Sequence, residues 1–383
     1  MKYITKTLAV MTFVAMTLSL ASCKDDTVEI NDEFAADVAT QFVDHTVAPT
    51  YTALAAKTEL LADMLATLKE TPTNAGLQDA CNVFLQAREQ WEKSEAFLFG
   101  AAGDYGVDPH IDSWPLDENA FNTLMGNSAM LQLLDGEKGD AVAGEQLGNA
   151  LLGFHGLEYI LFRDGQPRTV DQITSDQWTY VVAVAGDLRN RCYQLEAGWL
   201  GDAAPASHIA KLDDLEMQYT VAGGDLSYGQ NMKRAGQAGS TYVSRTAALI
   251  AIVQGCADIA DEVGSSKINS AYDGADITYI ESPYSQKSII DFYNNIVSIQ
   301  NVYLGGVVGE RDNEKSVHNY VKTLDASLDA RVLDAIETAL VKIDAMPAPF
   351  VEHYSDPKNG EAVAACAALE GVLDEVIDAI SNN

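Results

Sequence analysis

The chain has 383 residues, with 24 Lys and Arg against 56 Asp and Glu, a formal net charge of −32, and 47% hydrophobic residues. That length suits two domains or one large one, and so apolar a chain can bury a sizeable core. The acidic excess excludes nucleic acid, whose phosphates it would repel, and polybasic attachment to anionic lipid, leaving cations and charge-independent surfaces as partners, although solubility alone also produces such an excess.

In chain order, Lys2 and Lys6 precede an apolar run, Thr7 to Leu20, that ends in Ala21-Ser22-Cys23. A basic start, a short apolar stretch and small residues make a secretory signal over residues 1–22, too short for a stable membrane span. The cysteine makes the segment resemble a bacterial lipobox, with Cys23 as the lipidation site; the alternative is an ordinary signal with a chance cysteine. Its removal deletes two Lys and no acid, leaving 22 basic against 56 acidic residues, or −34. Residues 23–33 are polar and acidic and read as a lipidated tether. Cys23-Lys24-Asp25-Asp26 also resembles the acidic surface-export tag of some Bacteroidetes lipoproteins.

The rest reads as helix. Amphipathic patterns run through roughly 35–69, 75–99, 142–163, 175–198, 241–263, 286–304 and 360–380. The clearest is Leu328, Val332, Ala335, Ile336, Ala339, Leu340 and Ile343, with Asp329, Arg331, Asp334, Glu337 and Lys342 between them and Met346-Pro347 closing it. Ser285 is placed as an N-cap for the 286–304 helix and Gly305 as its C′ residue. Convincing strands are absent, so the expected fold is all-α, with an N-terminal helical bundle over 34–200 and a C-terminal one over 201–383. The boundary falls in Gly201–Ser207, and Gly223–Ser240 reads as a glycine-rich loop. Cys81, Cys192, Cys256 and Cys366 sit in apolar helical contexts and read as buried free thiols.

Two polar clusters interrupt helices that would otherwise be plain core. In Gly153-Phe-His155-Gly-Leu-Glu158, His155 and Glu158 are three apart and share one helix face among apolar neighbours. An imidazole and a carboxylate so placed offer two ligands to Zn, Fe or Mn; the alternative is a plain His–Glu pair at a helix end. The spacing is not that of a zincin motif, since no His-Glu-x-x-His occurs. In the second cluster Glu92 and Glu95 are again three apart, with Arg88 one turn before Glu92. An exposed ion-paired face explains Glu89 and Lys93 better than Glu95, which directly precedes an apolar helix end. Asp112 and Trp114 lie in a loop stiffened by Pro109 and Pro115, a segment suited to rim a pocket. His45, His208, His318 and His353 read as surface residues, while His110, beside Asp108 and Asp112, could support a site from behind.

Together these segments resemble the imelysin family of iron-regulated lipoproteins. The hallmark Gly-x-His-x-x-Glu stands as Gly153, His155 and Glu158. An upstream signature stands as Arg88, Trp91, Glu95-Ala-Phe97, Gly100 and Trp114-Pro-Leu-Asp117. Asp225-Leu-Ser-Tyr-Gly229 and Ser285, Ser288, Asp291, Asn294-Asn295 through Tyr303-Leu-Gly305 look like the second-half segments. The resemblance implies two duplicated helical bundles packed side by side, with the site in the crevice between them. It implies metal ligands at His155, Glu158 and Glu95, then Glu92 and Asp112, with Arg88, Trp114 and Ser227 lining the pocket. It also implies a divalent cation, iron first, with zinc or manganese as alternatives, and an outer membrane lipoprotein facing the periplasm or exported to the cell surface. A membrane iron-uptake partner is the expected protein contact. Around Asp276–Ser285 the Cys- and His-rich segment of the founding type is missing, which weakens the expectation of a second metal site and of peptidase activity.

The expected function is therefore metal binding in iron acquisition or handover. The alternatives are a metallopeptidase and a non-catalytic module for an organic or protein ligand. Binding ranks above catalysis because the ligand count is short for an enzyme and no nucleophile is assigned.

Overall fold

The computed structural model describes residues 26–383; the leader expected over 1–22, and Cys23 with it, lie outside them. Nearly all regular structure is helical, the exception among the described residues being a two-residue hairpin, Phe162–Arg163 with Gln166–Pro167. The principal helices are α1 (Asp26–Phe42), α2 (Ala48–Glu70), α3 (Asn74–Glu92), α4 (Val107–Ile111), α5 (Gly153–Leu161) and α6 (Ser175–Leu200) in the first half. In the second half they are α7 (Arg245–Asp261), α8 (Ser288–Tyr303), α9 (Ala326–Asp344) and α10 (Pro357–Ser381). None of the described helices is long and apolar enough to cross a membrane.

The first bundle is built on α2 packed against α3 and α6, and the second on α10 packed against α7 and α9, with α8 joining α7 and α9. In α9 the buried positions are Leu328, Asp329, Val332, Ile336, Ala339, Leu340 and Ile343; Ala335 of the expected stripe is only partly buried, and Asp329, read as part of the charged face, is buried against Tyr303 and His318. Helix α1 starts inside the polar stretch read as a tether and packs against α7. The bundles meet where α3 lies against α8 and where the tight turn Glu95–Phe97 enters between α7 and α8. Gly255 of α7 permits that entry, since a Cβ there would stand 2.2 Å from the Ala96 carbonyl oxygen.

Four local expectations change. The 142–163 helix is broken into Gly139–Gln146 and α5: the backbone turns extended at Leu147 and Gly148, and Gly153 takes a left-handed φ of +64° to start α5 against the Ile111 backbone. The 75–99 helix stops at Glu92, where the Ser94 hydroxyl donates to the Trp91 carbonyl oxygen. Ser285 does not cap α8, which begins at Ser288; its backbone N–H is directed instead to Glu158. Helix α7 continues into a wide π-helical turn, Glu262–Ile268. Gly305 follows α8 with a φ of +81°, as its C′ placement requires.

Among the described residues Cys81, Cys192, Cys256 and Cys366 are free and buried. His208 is not a surface residue: from the short helix Ala206–Asp214 it is buried against α6, stacked on Tyr193, with Nδ1 2.6 Å from Glu196. His318 is likewise tied down, 2.6 Å from Asp329.

Candidate metal centre

Arg88 is the hub of the bundle junction. It stands one turn before Glu92 on α3, and the two meet at 2.6 Å, but both are buried rather than on an exposed face. The same guanidinium pairs with Asp112 and Glu281 and lies 3.6 Å from Asp291. Its plane rests over the Phe154 ring at 5.2 Å. Glu89 and Lys93 do form the partly exposed pair the spacing suggests.

Helix α5 delivers His155 and Glu158 into this junction. Gly153 and Gly156 set its depth: a Cβ on Gly153 would fall 1.8 Å from the Ile111 oxygen, and one on Gly156 would fall 2.4 Å from the Tyr180 hydroxyl. With both bare, α5 seats beside the end of α4, so that His155 Nε2 comes 3.1 Å from Asp112 Oδ1, off the line of a good hydrogen bond. Nδ1 lies 3.4 Å from Glu158 Oε2, and Glu158 Oε1 accepts the Ser285 N–H at 2.7 Å. Asp112 is fixed from behind by the Trp91 indole N–H at 2.7 Å. The Asn295 amide donates to Glu92 at 2.5 Å, and the Ser282 hydroxyl to Asp291 at 2.5 Å.

On the solvent side a cavity of about 220 Å³ is lined by Glu95, Asp108, Asp112, Trp114, Glu262 and Lys267, among others. Lys267 comes from the π-helical turn. Its ammonium is 3.2 Å from Glu281, 3.9 Å from Glu92 and 5.1 Å from the centre of the Trp114 ring.

Burial and charge pull these groups in opposite directions. Burial opposes charge on Arg88, but Asp112, Glu92, Glu281 and Asp291 outweigh it and hold the guanidinium protonated. Burial also works against the Lys267 ammonium, which Glu281, Glu95 and Glu92 keep charged. For Glu92 and Glu95 burial prevails over Arg88 and Lys267 respectively, and both carboxyls are pushed well up. Burial lifts Asp108 and Asp291 to about 7. Asp112 goes the other way, since Arg88 and His155 overcome its burial. His155 is raised to about 9, its burial outweighed by Asp112 and Glu158. The centre is thus six buried carboxyls around two buried cations and one protonatable imidazole.

Two sets of donor atoms converge to within 4.8 Å of one another: Asp112, His155 and Glu281, and Glu92, Glu95 and Asp112. Three buried atoms in them lack a well-aligned hydrogen bond: His155 Nε2 and Glu92 Oε1 face Asp112 and Arg88 as ion pairs, and Glu281 Oε2 faces no polar partner. Unpaired buried polar atoms are costly, and converging ones fit an ion-binding role. One imidazole with carboxylate oxygens is the donor chemistry of iron or manganese, with zinc tolerated.

Of the expected ligands, His155, Glu95, Glu92 and Asp112 are brought together, while Glu158 lies behind His155, held by Ser285. Trp114 lines the cavity and Arg88 is a counter-ion at its back. Ser227 is elsewhere: its hydroxyl caps the short helix Tyr228–Lys233 by accepting the Gln230 N–H at 3.1 Å. His110 does not support the centre either, but pairs with Asp187 at 2.8 Å. Three charged residues were not foreseen as members: Glu281, Lys267 and Asp291. Asp291 belongs to the Ser285–Gly305 segment that resembles the family's second half, which attaches no role to it. Lys267 follows Val263 by one turn on the buried face, a visible signal. Glu281 comes from the stretch noted only for lacking Cys and His.

Fold and centre define an all-helical protein of two bundles with a buried carboxylate–histidine cluster at their junction. The chain belongs to the imelysin family, whose model matches residues 47–376. It is 27% identical over 343 residues to iron-regulated protein A of Synechococcus elongatus, covering 88% of this chain and 84% of that one. A crystal structure from Parabacteroides distasonis, described as an iron-regulated protein A precursor, superposes with a TM-score of 0.77 at 28% identity, over 91% of this chain and 95% of that one. An imelysin-like protein from Psychrobacter arcticum shares the fold, with a TM-score of 0.57 at 14% identity over 91% and 93% of the two chains.

Proposed function

We propose that this protein is a lipid-anchored, metal-binding member of the imelysin family that captures a divalent cation, iron foremost, for uptake or handover. The ion is cargo. The observation that carries the reading is the convergence of Asp112, His155 and Glu281, with Glu281 Oε2 left without a partner and His155 Nε2 without a well-aligned hydrogen bond. In this reading His155, Asp112 and Glu281 hold the ion, and Glu92 and Glu95 add or exchange oxygens. Glu158, itself anchored by Ser285, orients the imidazole from Nδ1. Arg88 fixes the carboxylates in register.

The surrounding charge supports delivery. A second cavity, lined by Asp258, Asp261, Glu262, Glu370 and Asp374, adjoins the first through Glu262 and Tyr279, and acidic walls concentrate cations at a mouth. The inner cavity, about 220 Å³, has room for a hydrated ion and is small for a peptide segment, which favours binding over proteolysis. The name carried by the relatives, iron-regulated protein A, points the same way. The outer membrane location, the anchor at Cys23 and a membrane iron-uptake partner complete the proposal.

Anaerobic calorimetric titration with Fe²⁺ tests it. The wild-type protein should bind one ion, and His155→Ala and Glu281→Gln should each weaken binding by about a hundredfold or more. Equal stoichiometry and affinity in both variants would overturn the assignment.

A further inference from the structure

Two cations are buried in the centre, and they are held very differently. Arg88 is clamped by Glu92, Asp112 and Glu281, and it rests on the Phe154 ring. Lys267 makes one hydrogen bond, to Glu281, and otherwise faces the Trp114 ring. A guanidinium in a multidentate clamp is fixed, whereas an ammonium on a flexible stem is free to move. The carboxylate that Lys267 engages is also the one that the candidate ligand set needs, since Glu281 belongs with Asp112 and His155. Glu92, 3.9 Å from the ammonium, belongs to the other set. A divalent ion on the open Glu281 Oε2 would therefore stand beside this ammonium, which bonds Oε1 of the same carboxylate, and the two charges would repel each other.

We propose that the Lys267 ammonium is a tethered stand-in for the metal, holding the carboxylates together in the ion-free protein and leaving Glu281 when the ion enters. The inference rests on the metal-binding reading above and adds what sets the affinity of that site. The withdrawing ammonium has a place to go. Lys267 lines the cavity together with Asp108 and Glu262, and Glu262 also faces the outer acidic cavity, so the cation exchanges one set of carboxylates for another. Its backbone lies in the π-helical turn Glu262–Ile268, an irregularity that recurs at functional sites. The exchange lowers the affinity and eases release, as suits a protein that hands its ion on.

Calorimetric titration of wild type, Lys267→Met and Lys267→Arg with Mn²⁺, with thermal unfolding of each with and without the ion, tests this. Lys267→Met should bind about tenfold tighter or better, within the usual range of coupling between competing ligands. Without metal it should melt below wild type, and Mn²⁺ should raise its Tm by more. Lys267→Arg should bind no tighter than wild type. Unchanged or weaker binding by Lys267→Met, with wild type binding normally, would overturn the proposal. If neither protein binds Mn²⁺, the metal-binding reading itself fails. Should Lys267→Met not fold, a crystal structure of the wild type with Mn²⁺ decides. The proposal requires Nζ to have left Glu281, and a bound ion with that contact intact would refute it.

Discussion

Gly153→Ala is the sharpest test of how α5 is seated. The new methyl would stand 1.8 Å from the Ile111 oxygen, 2.2 Å from its carbonyl carbon and 2.4 Å from its Cα. These are backbone atoms, so no side-chain rotation relieves the overlap, and the two segments must part by more than about an ångström. The left-handed φ of +64° adds roughly 1–2 kcal/mol for any residue with a Cβ. Forcing a methyl into closed packing adds about 1–3 kcal/mol more, for a total of roughly 2–5 kcal/mol. Gly106 is the matched control. Its φ of +58° is nearly the same, yet a Cβ there meets nothing within 4 Å, so Gly106→Ala should cost only the backbone share. Urea unfolding of both variants at equal m-values measures the difference, and the loss in Gly153→Ala should exceed that in Gly106→Ala by about 2 kcal/mol. Equal losses would refute the claim that close approach to Ile111, the neighbour of Asp112, is what seats His155.

Three further outcomes follow from the same geometry. Arg88→Met removes the partner of several buried carboxylates and should destabilise the protein by about 3–5 kcal/mol in chemical unfolding, where an exposed pair would cost under about 1. In chelated protein, stability should fall as pH rises from about 5 to 9. Asp108 and Asp291, raised to about 7, and His155, raised to about 9, all bind protons more tightly folded than unfolded. Their contributions are complete below the ordinary values and are lost as pH climbs through the raised ones, so a melting temperature that is flat or rising over that window contradicts the burial of Asp108 and Asp291 and the pairing of His155 with Asp112 and Glu158. Ser227→Ala should lose about 1 kcal/mol as a helix cap and leave Fe²⁺ affinity unchanged; a weakened titration would return Ser227 to the site.

The sequence is most legible where one face of a helix meets core, as in α9, whose Leu328-to-Ile343 stripe, Ala335 apart, is buried. It is least legible where backbone meets backbone across the chain. The apolar run through 142–163 hides a break that seats Gly153 against the Ile111 carbonyl, and no local pattern reports that approach. The centre divides in the same way. His155 with Glu158, and Glu92 with Glu95, announce themselves by spacing, whereas Glu281 and Lys267 join through tertiary contacts to α3 and α5. Ser227 shows the opposite error. A serine three residues before Gln230 at a helix start is a capping box, a local use that accounts for its hydroxyl without any ligand.

The most direct measurement is anomalous diffraction at the iron edge from crystals of the mature protein loaded anaerobically with Fe²⁺. The account predicts one strong peak at the bundle junction, within roughly 2.0–2.6 Å of donor atoms from His155, Asp112 and Glu281. A peak lying only on surface acids, or no peak in crystals shown by titration to be saturable, would contradict it.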